Sequence, residues 1–141
     1  MKKFWQLVSR KDLIFIICIF LLVIVISLVE PLTKITVTMD DSAVEAKSTR
    51  YFINVKYELI ESAELVEMPD KGNVVNGSDD MSIRYGIWNN DTWGEYTIVA
   101  IPNATNCIVM HLHDGRTFVF NARSNEYTAE LFAALSAHLN P

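Results

Sequence analysis

The chain has 141 residues, half of them hydrophobic, with a mean hydropathy of +0.19 and a formal net charge of −5. Of its 12 basic and 17 acidic side chains, residues 1–29 hold Lys2, Lys3, Arg10 and Lys11 against Asp12 alone, a charge of +3, so residues 30–141 carry −8. A C-terminal part of that sign repels phosphate and excludes nucleic acid as its ligand; apolar residues throughout exclude disorder, and two cysteines exclude a disulfide scaffold or a Cys-rich zinc site.

From Leu13 to Val29 the sequence reads LIFIICIFLLVIVISLV, without a charge and with Ser27 as its one polar side chain. An apolar run with no polar stripe is the pattern of a helix surrounded by lipid. At 1.5 Å per residue it covers roughly 25 Å, which Leu32, Phe4 and Trp5 extend towards the interface. No small-residue cleavage site follows, so the segment reads as an uncleaved signal anchor over residues 13–32. The basic residues 1–12 then stay in the cytoplasm, and residues 33–141 lie outside the plasma membrane as a single-pass protein. Cys18 becomes a lipid-facing side chain, and Cys107 a lone thiol that must be buried.

Beyond the span, Ile35, Val37 and Met39 alternate with threonines as a half-buried strand, Asp40-Asp41-Ser42 makes a turn, and Ala43–Lys47 returns. Tyr51, Ile53 and Val55 alternate with Phe52, Asn54 and Lys56 in a third strand. Residues 57–63 have mixed periodicity compatible with one helical turn, and the extended pattern resumes around Leu65. Residues 69–80, PDKGNVVNGSDD, read as a surface loop. Four further strands follow, at Ser82–Trp88, Gly94–Ile101, Cys107–Leu112 and Thr117–Asn121, and the short strands at close spacing suggest a meander closing into a small barrel or sandwich. In the last hairpin a three-residue loop, His113-Asp114-Gly115, with Gly115 left-handed, pairs Met110 with Phe118 and Ile108 with Phe120 and so gathers both phenylalanines on one face. Residues 124–138 form a helix capped by Ser124 or Asn125, with an apolar stripe of Tyr127, Leu131, Leu135 and Leu139. The fold class is therefore α+β.

The meander, the short turn near Ile60-Glu61-Ser62-Ala63, the hairpin HLHDGRTFVFN and the closing EYTAELFAAL helix resemble the bacterial pleckstrin-homology-like (PH-like) domains. The resemblance covers roughly residues 33–140. It implies a partly open, seven-stranded antiparallel barrel capped by a C-terminal helix, without catalytic residues, carried by an envelope protein. Eukaryotic relatives bind phosphoinositides through a basic loop between the first two strands; here that loop is Asp40-Asp41-Ser42, so no phosphoinositide is expected.

His111, His113 and Asp114 are the only cluster resembling a metal site, since residues i and i+2 of a strand share a face; the plainer reading is a solvated strand end, and no metal or cofactor is expected. Nor is there a Ser/His/Asp order, a phosphate loop or an H-E-x-x-H to support an enzyme. Tyr85, Trp88, Trp93 and Tyr96 concentrate aromatic area around one hairpin, either filling the core or, at Tyr85, Trp88 and Trp93, offering a binding surface. The acid pairs Asp40-Asp41 and Asp79-Asp80, and the sequon asparagines Asn76, Asn90 and Asn103, read as turn residues. The function expected is a non-catalytic interaction module, bound to lipid through Leu13–Val29 and to another envelope protein through a sheet edge, the 69–80 loop or the aromatic hairpin. A metal-binding or metal-sensing ectodomain and an accessory structural subunit of a membrane complex are the alternatives.

Overall fold

A computed structural model describes residues 10–29 and 34–140 of the chain. The chain divides into two compact units, residues 1–32 and residues 33–141. Among the described residues the first unit holds one helix, α1 (Arg10–Val29). Its side chains from Arg10 to Ser27 are all exposed, and Ser27 returns its hydroxyl to the Val23 carbonyl at 2.9 Å.

The anchor expected from this segment is corrected here: among the described residues no helix is long and apolar enough to cross a membrane. The helix opens on Arg10, Lys11 and Asp12, and the uncharged run after them covers about 25 Å against a hydrocarbon core of ~30 Å. The signal-anchor assignment, the single-pass topology and the plasma-membrane location fall with the span. Cys18, expected to face lipid, is exposed.

Among the described residues the second unit contains nine strands and a terminal helix. Strands β1 (Thr36–Met39), β2 (Ala43–Lys47) and β3 (Phe52–Lys56) make a three-stranded antiparallel sheet in the order β1-β2-β3. A single 3-10 turn, Tyr57–Leu59, leads into β4 (Ile60–Glu67), followed by β5 (Asn73–Asp79), β6 (Arg84–Asn90), β7 (Gly94–Ala100), β8 (Asn106–Leu112), β9 (Thr117–Phe120) and α2 (Asn125–Leu139). These six strands form one sheet in the order β4-β8-β9-β7-β6-β5.

That order overturns the seven-stranded PH-like barrel. The domain is α+β with two open sheets, and β9 lies between β7 and β8, parallel to the former and antiparallel to the latter. The segment Ile101–Thr105 is therefore a crossing and not a hairpin. It is held by buried Asn121, whose amide donates to the carbonyls of Ile101 (3.1 Å) and Ala104 (3.0 Å) while its carbonyl oxygen accepts the Ile101 N–H at 2.7 Å. Every polar atom of that side chain near the crossing is satisfied, so burying it costs little.

Residues 69–80, expected to be a loop, contain β5. Its ladder with β6 slips between Val74 and Asn76, and Gly77 stands opposite Gly86. The Asn and Gly residues that signal a turn here make a bulge and a close backbone approach, the other structural uses of those residues. Asn76, expected in a turn, therefore lies in a strand. Asp40 and Asp80 do shape turns: Asp40 Oδ1 accepts from Ser42 N (2.7 Å) and Ala43 N (2.8 Å), and Asp80 Oδ1 from Ser82 N (2.7 Å) and Ile83 N (3.0 Å). Asn90 repeats the device with the amides of Thr92 and Trp93.

Two cores lie on opposite faces of the large sheet. On one face Val99, Ile108, Met110 and Phe120 pack against Val44, Ala46, Ile53 and Val55 of the small sheet and Leu135 of α2. The last hairpin has the expected register, Ile108 opposite Phe120 and Met110 opposite Phe118, with Gly115 at φ +87°. Helix α2 starts at Ser124, whose hydroxyl accepts the Tyr127 N–H at 3.2 Å, and it brings Leu131, Phe132 and Leu139 to the same core. On the other face Trp88, Tyr96, Ile98, Cys107, Val109 and Val119 form the second core. The β4–β5 connector closes over it: Tyr96 Oη donates to the Lys71 carbonyl at 2.6 Å and Asn90 Nδ2 to the Asp70 carbonyl at 3.0 Å.

Among the described residues, both clusters draw on residues from Ile35 onwards. A chain starting at Thr33 is therefore expected to fold and to unfold in one cooperative transition, as read by calorimetry. The second core also sets an alkaline limit. Burial pushes the Cys107 thiol up to about 12 from its ordinary 9.0, and burial likewise raises the Tyr96 phenol. The neutral thiol is the form the fold favours, so its contribution is complete below pH 9 and is lost as pH rises through about 12. Urea midpoints should fall between pH 9 and 11, less steeply in Cys107→Ala; equal slopes would remove the thiol from the account.

Candidate functional site

The expected site residues are placed as follows. Trp88, expected either in the core or on a binding surface, is fully buried, its indole N–H donating to the Tyr85 carbonyl at 3.3 Å. Trp93 is half-buried, edge-on to Tyr96 with ring centroids 5.1 Å apart. Tyr85 is half-buried on the opposite face of the sheet, stacked on Tyr51 at 5.8 Å. The hairpin's aromatic rings thus point to two different cores.

His111, His113 and Asp114 are not brought together. His111 places Nδ1 3.1 Å from Thr117 Oγ1 and Nε2 3.4 Å from Glu64, tying β8 to both neighbouring strands. His113 is exposed, and its backbone N–H donates to the Leu59 carbonyl. Asp114 accepts from the Arg116 backbone N–H at 3.1 Å and from its Nε at 2.8 Å, and these bonds hold its carboxyl below the usual range. No group of three or more metal-binding side chains occurs among the described residues. The order Glu64–His111–Thr117 is carboxylate, imidazole, hydroxyl, the order of a nucleophilic relay. Thr117 is only 6% exposed, however, which leaves its hydroxyl little room for a substrate.

What the fold leaves open is β3. Its two ends are pinned to β2. The Ser48 N–H donates to the Tyr51 carbonyl at 2.8 Å, and the Tyr57 N–H donates to the Ser42 carbonyl at 3.0 Å. Antiparallel pairs alternate between those that exchange backbone hydrogen bonds and those that do not. Tyr51 and Tyr57 bond inward, and so do Ile53 and Val55 between them. The N–H and C=O of Phe52, Asn54 and Lys56 therefore point outward, along an edge that ends the sheet. The side chains follow the same period: Ile53 and Val55 are buried and Phe52, Asn54 and Lys56 exposed, Phe52 to 62%.

Beside this edge is a groove of about 470 Å³. Tyr51–Asn54 make one side of it, and Ile87 of β6, Glu95–Thr97 of β7, Arg116 and, in β9, Thr117 and Phe118 make the rest. Arg116 lies 5.5 Å from the Phe118 ring and is occupied by Asp114. The Glu95 carboxylate is exposed and has no hydrogen-bond or ion-pair partner among the described residues. A second recess, of about 580 Å³, lies between the start of β4 and the end of α2, where His138 stacks on Tyr57 at 4.8 Å.

The signal for this edge was present in the sequence. Phe52, Asn54 and Lys56 form the outward phase of a regular two-residue alternation with Ile53 and Val55. No protein-family model matches the chain, and neither does any curated protein or solved structure. The resemblance to PH-like domains thus has no support from relatives, and the strand order contradicts it.

Proposed function

We propose that the β-rich unit is a non-catalytic interaction module that takes up an extended segment of a partner protein by adding it as a strand to β3. The carrying observation is the outward row of backbone groups at Phe52, Asn54 and Lys56 beside an open groove. An added strand gains main-chain hydrogen bonds from the edge, and its alternate side chains gain pockets.

The other sheet edges are less suited. β5 is broken by its bulge, β4 presents exposed Glu61, Glu64 and Glu67, and β1 has four residues. Bulges, charge and shortness are the devices that blunt an edge against pairing. Of the three surfaces considered from the sequence, the 69–80 loop is largely a strand and the aromatic hairpin is largely core, which leaves the edge.

Amide hydrogen exchange followed residue by residue tests the proposal. In the free protein Ile53 and Val55 should exchange slowly and Phe52, Asn54 and Lys56 quickly. A bound partner should slow the second set by tenfold or more while leaving the first unchanged. Partner binding that left those three amides fast would refute strand addition at this edge.

A further inference from the structure

We infer that the segment received at β3 is basic, with a Lys or Arg placed to reach Glu95, and apolar at the alternate positions that face the groove. This rests on the strand-addition reading and adds the chemistry of the occupant. By the two-residue period of β7, Glu95 shares its face with Thr97 and Val99, the face on which the groove opens, while Tyr96 points into the opposite core. Glu95 is the groove's one carboxylate among its lining residues, and it is exposed without a partner, whereas the groove's cation, Arg116, is already held by Asp114. The local field at the groove is therefore negative. It is reinforced by the −8 carried by residues 30–141, which attracts a basic segment before contact.

The apolar requirement comes from the other lining groups. Ile87, Thr97 and Phe118 stand on adjacent strands of one face, Ile87 opposite Thr97 and Thr97 opposite Phe118. They form a short band that an isoleucine, leucine or phenylalanine of the incoming strand would cover. Because successive side chains of a strand alternate in direction, such a segment presents one apolar residue to this band for every two residues of length.

The test is a selection of random nonapeptides displayed on phage against the full-length chain, run in parallel on Asn54→Pro and Glu95→Lys. Proline at position 54 removes an outward N–H that β2 does not use, a placement edge strands tolerate. Binding peptides should be lost on Asn54→Pro at an unchanged melting temperature. Should that variant melt early, exchange protection of the Phe52, Asn54 and Lys56 amides by a selected peptide on the unaltered chain takes its place. Among the edge-dependent peptides Lys and Arg should exceed Asp and Glu by about two- to fivefold, the worth of an exposed ion pair, and Glu95→Lys should reverse the bias. Edge-dependent peptides without that bias, or with the same bias on Glu95→Lys, overturn the basic-segment inference and leave strand addition standing. Peptides that bind without involving the edge overturn both.

Discussion

Trp88→Ala is expected to cost the folded domain about 3–5 kcal/mol, the usual loss for truncating a large buried aromatic. The indole is fully buried among Tyr96, Ile98, Ala100, Cys107, Val109 and Val119. Its removal forfeits dispersion contacts and leaves a cavity under the β4–β5 connector. In a domain of this size 1 kcal/mol moves the midpoint by roughly 4–8 °C, so the variant should melt at least 12 °C lower or fail to fold at 37 °C. Trp88→Phe should recover part of the loss while still missing the hydrogen bond to the Tyr85 carbonyl. Urea melts measure both. A variant with unchanged stability and lost partner binding would return Trp88 to the surface and refute the two-core description.

The second large effect is at Gly86. Its φ is +105°, and a Cβ built there would lie 2.2 Å from the Asn76 carbonyl oxygen and 2.6 Å from the Gly77 Cα. Backbone at those distances cannot give way without opening the β5–β6 ladder. Gly86→Ala should therefore lose about 3 kcal/mol or more, the conformational strain of roughly 1–3 kcal/mol being added to a steric clash. Gly94→Ala supplies the comparison. That glycine is also left-handed, at φ +68°, but a Cβ there meets nothing within 4 Å. Its cost should be only the ~1–2 kcal/mol of the left-handed conformation. Equal losses at the two positions would show that close approach at Gly86 carries no weight.

The features that local chemistry specifies were legible in the sequence. The 113–115 loop follows from matching Ile108 and Met110 to Phe120 and Phe118 across a left-handed Gly115, and that register is found. The cap at Ser124 and the Leu131/Leu135/Leu139 stripe follow from residue type and the 3.6 period. What was not legible is strand order. Thr117–Phe120 carries no mark saying that it will enter between β7 and β8, because its neighbours are chosen by burial on both faces and by a crossing that Asn121 holds from 17 to 20 residues away. β5 was hidden for a related reason, since Asn and Gly serve equally for turns and for bulges. Of the candidate site, the alternation that exposes Phe52 was readable. The groove was not, because it is assembled from residues up to 67 positions apart in the chain, Tyr51 to Phe118.

The position of β9 has a consequence for how this chain comes off the ribosome. The β1–β2–β3 sheet is complete once β3 has emerged and β5–β6–β7 can pair among themselves, but β7 still lacks β9, and β4 and β8 reach the rest of the large sheet only through β9. Until residues 117–120 have left the ribosome, the facing edges of β7 and β8 stay unpaired, with Ile98, Val109 and Met110 not yet enclosed. Nascent chains arrested before residue 117 should thus be sticky and protease-sensitive, and good substrates for a holding chaperone. The sheet closes only when β9 is free to pair with both β7 and β8.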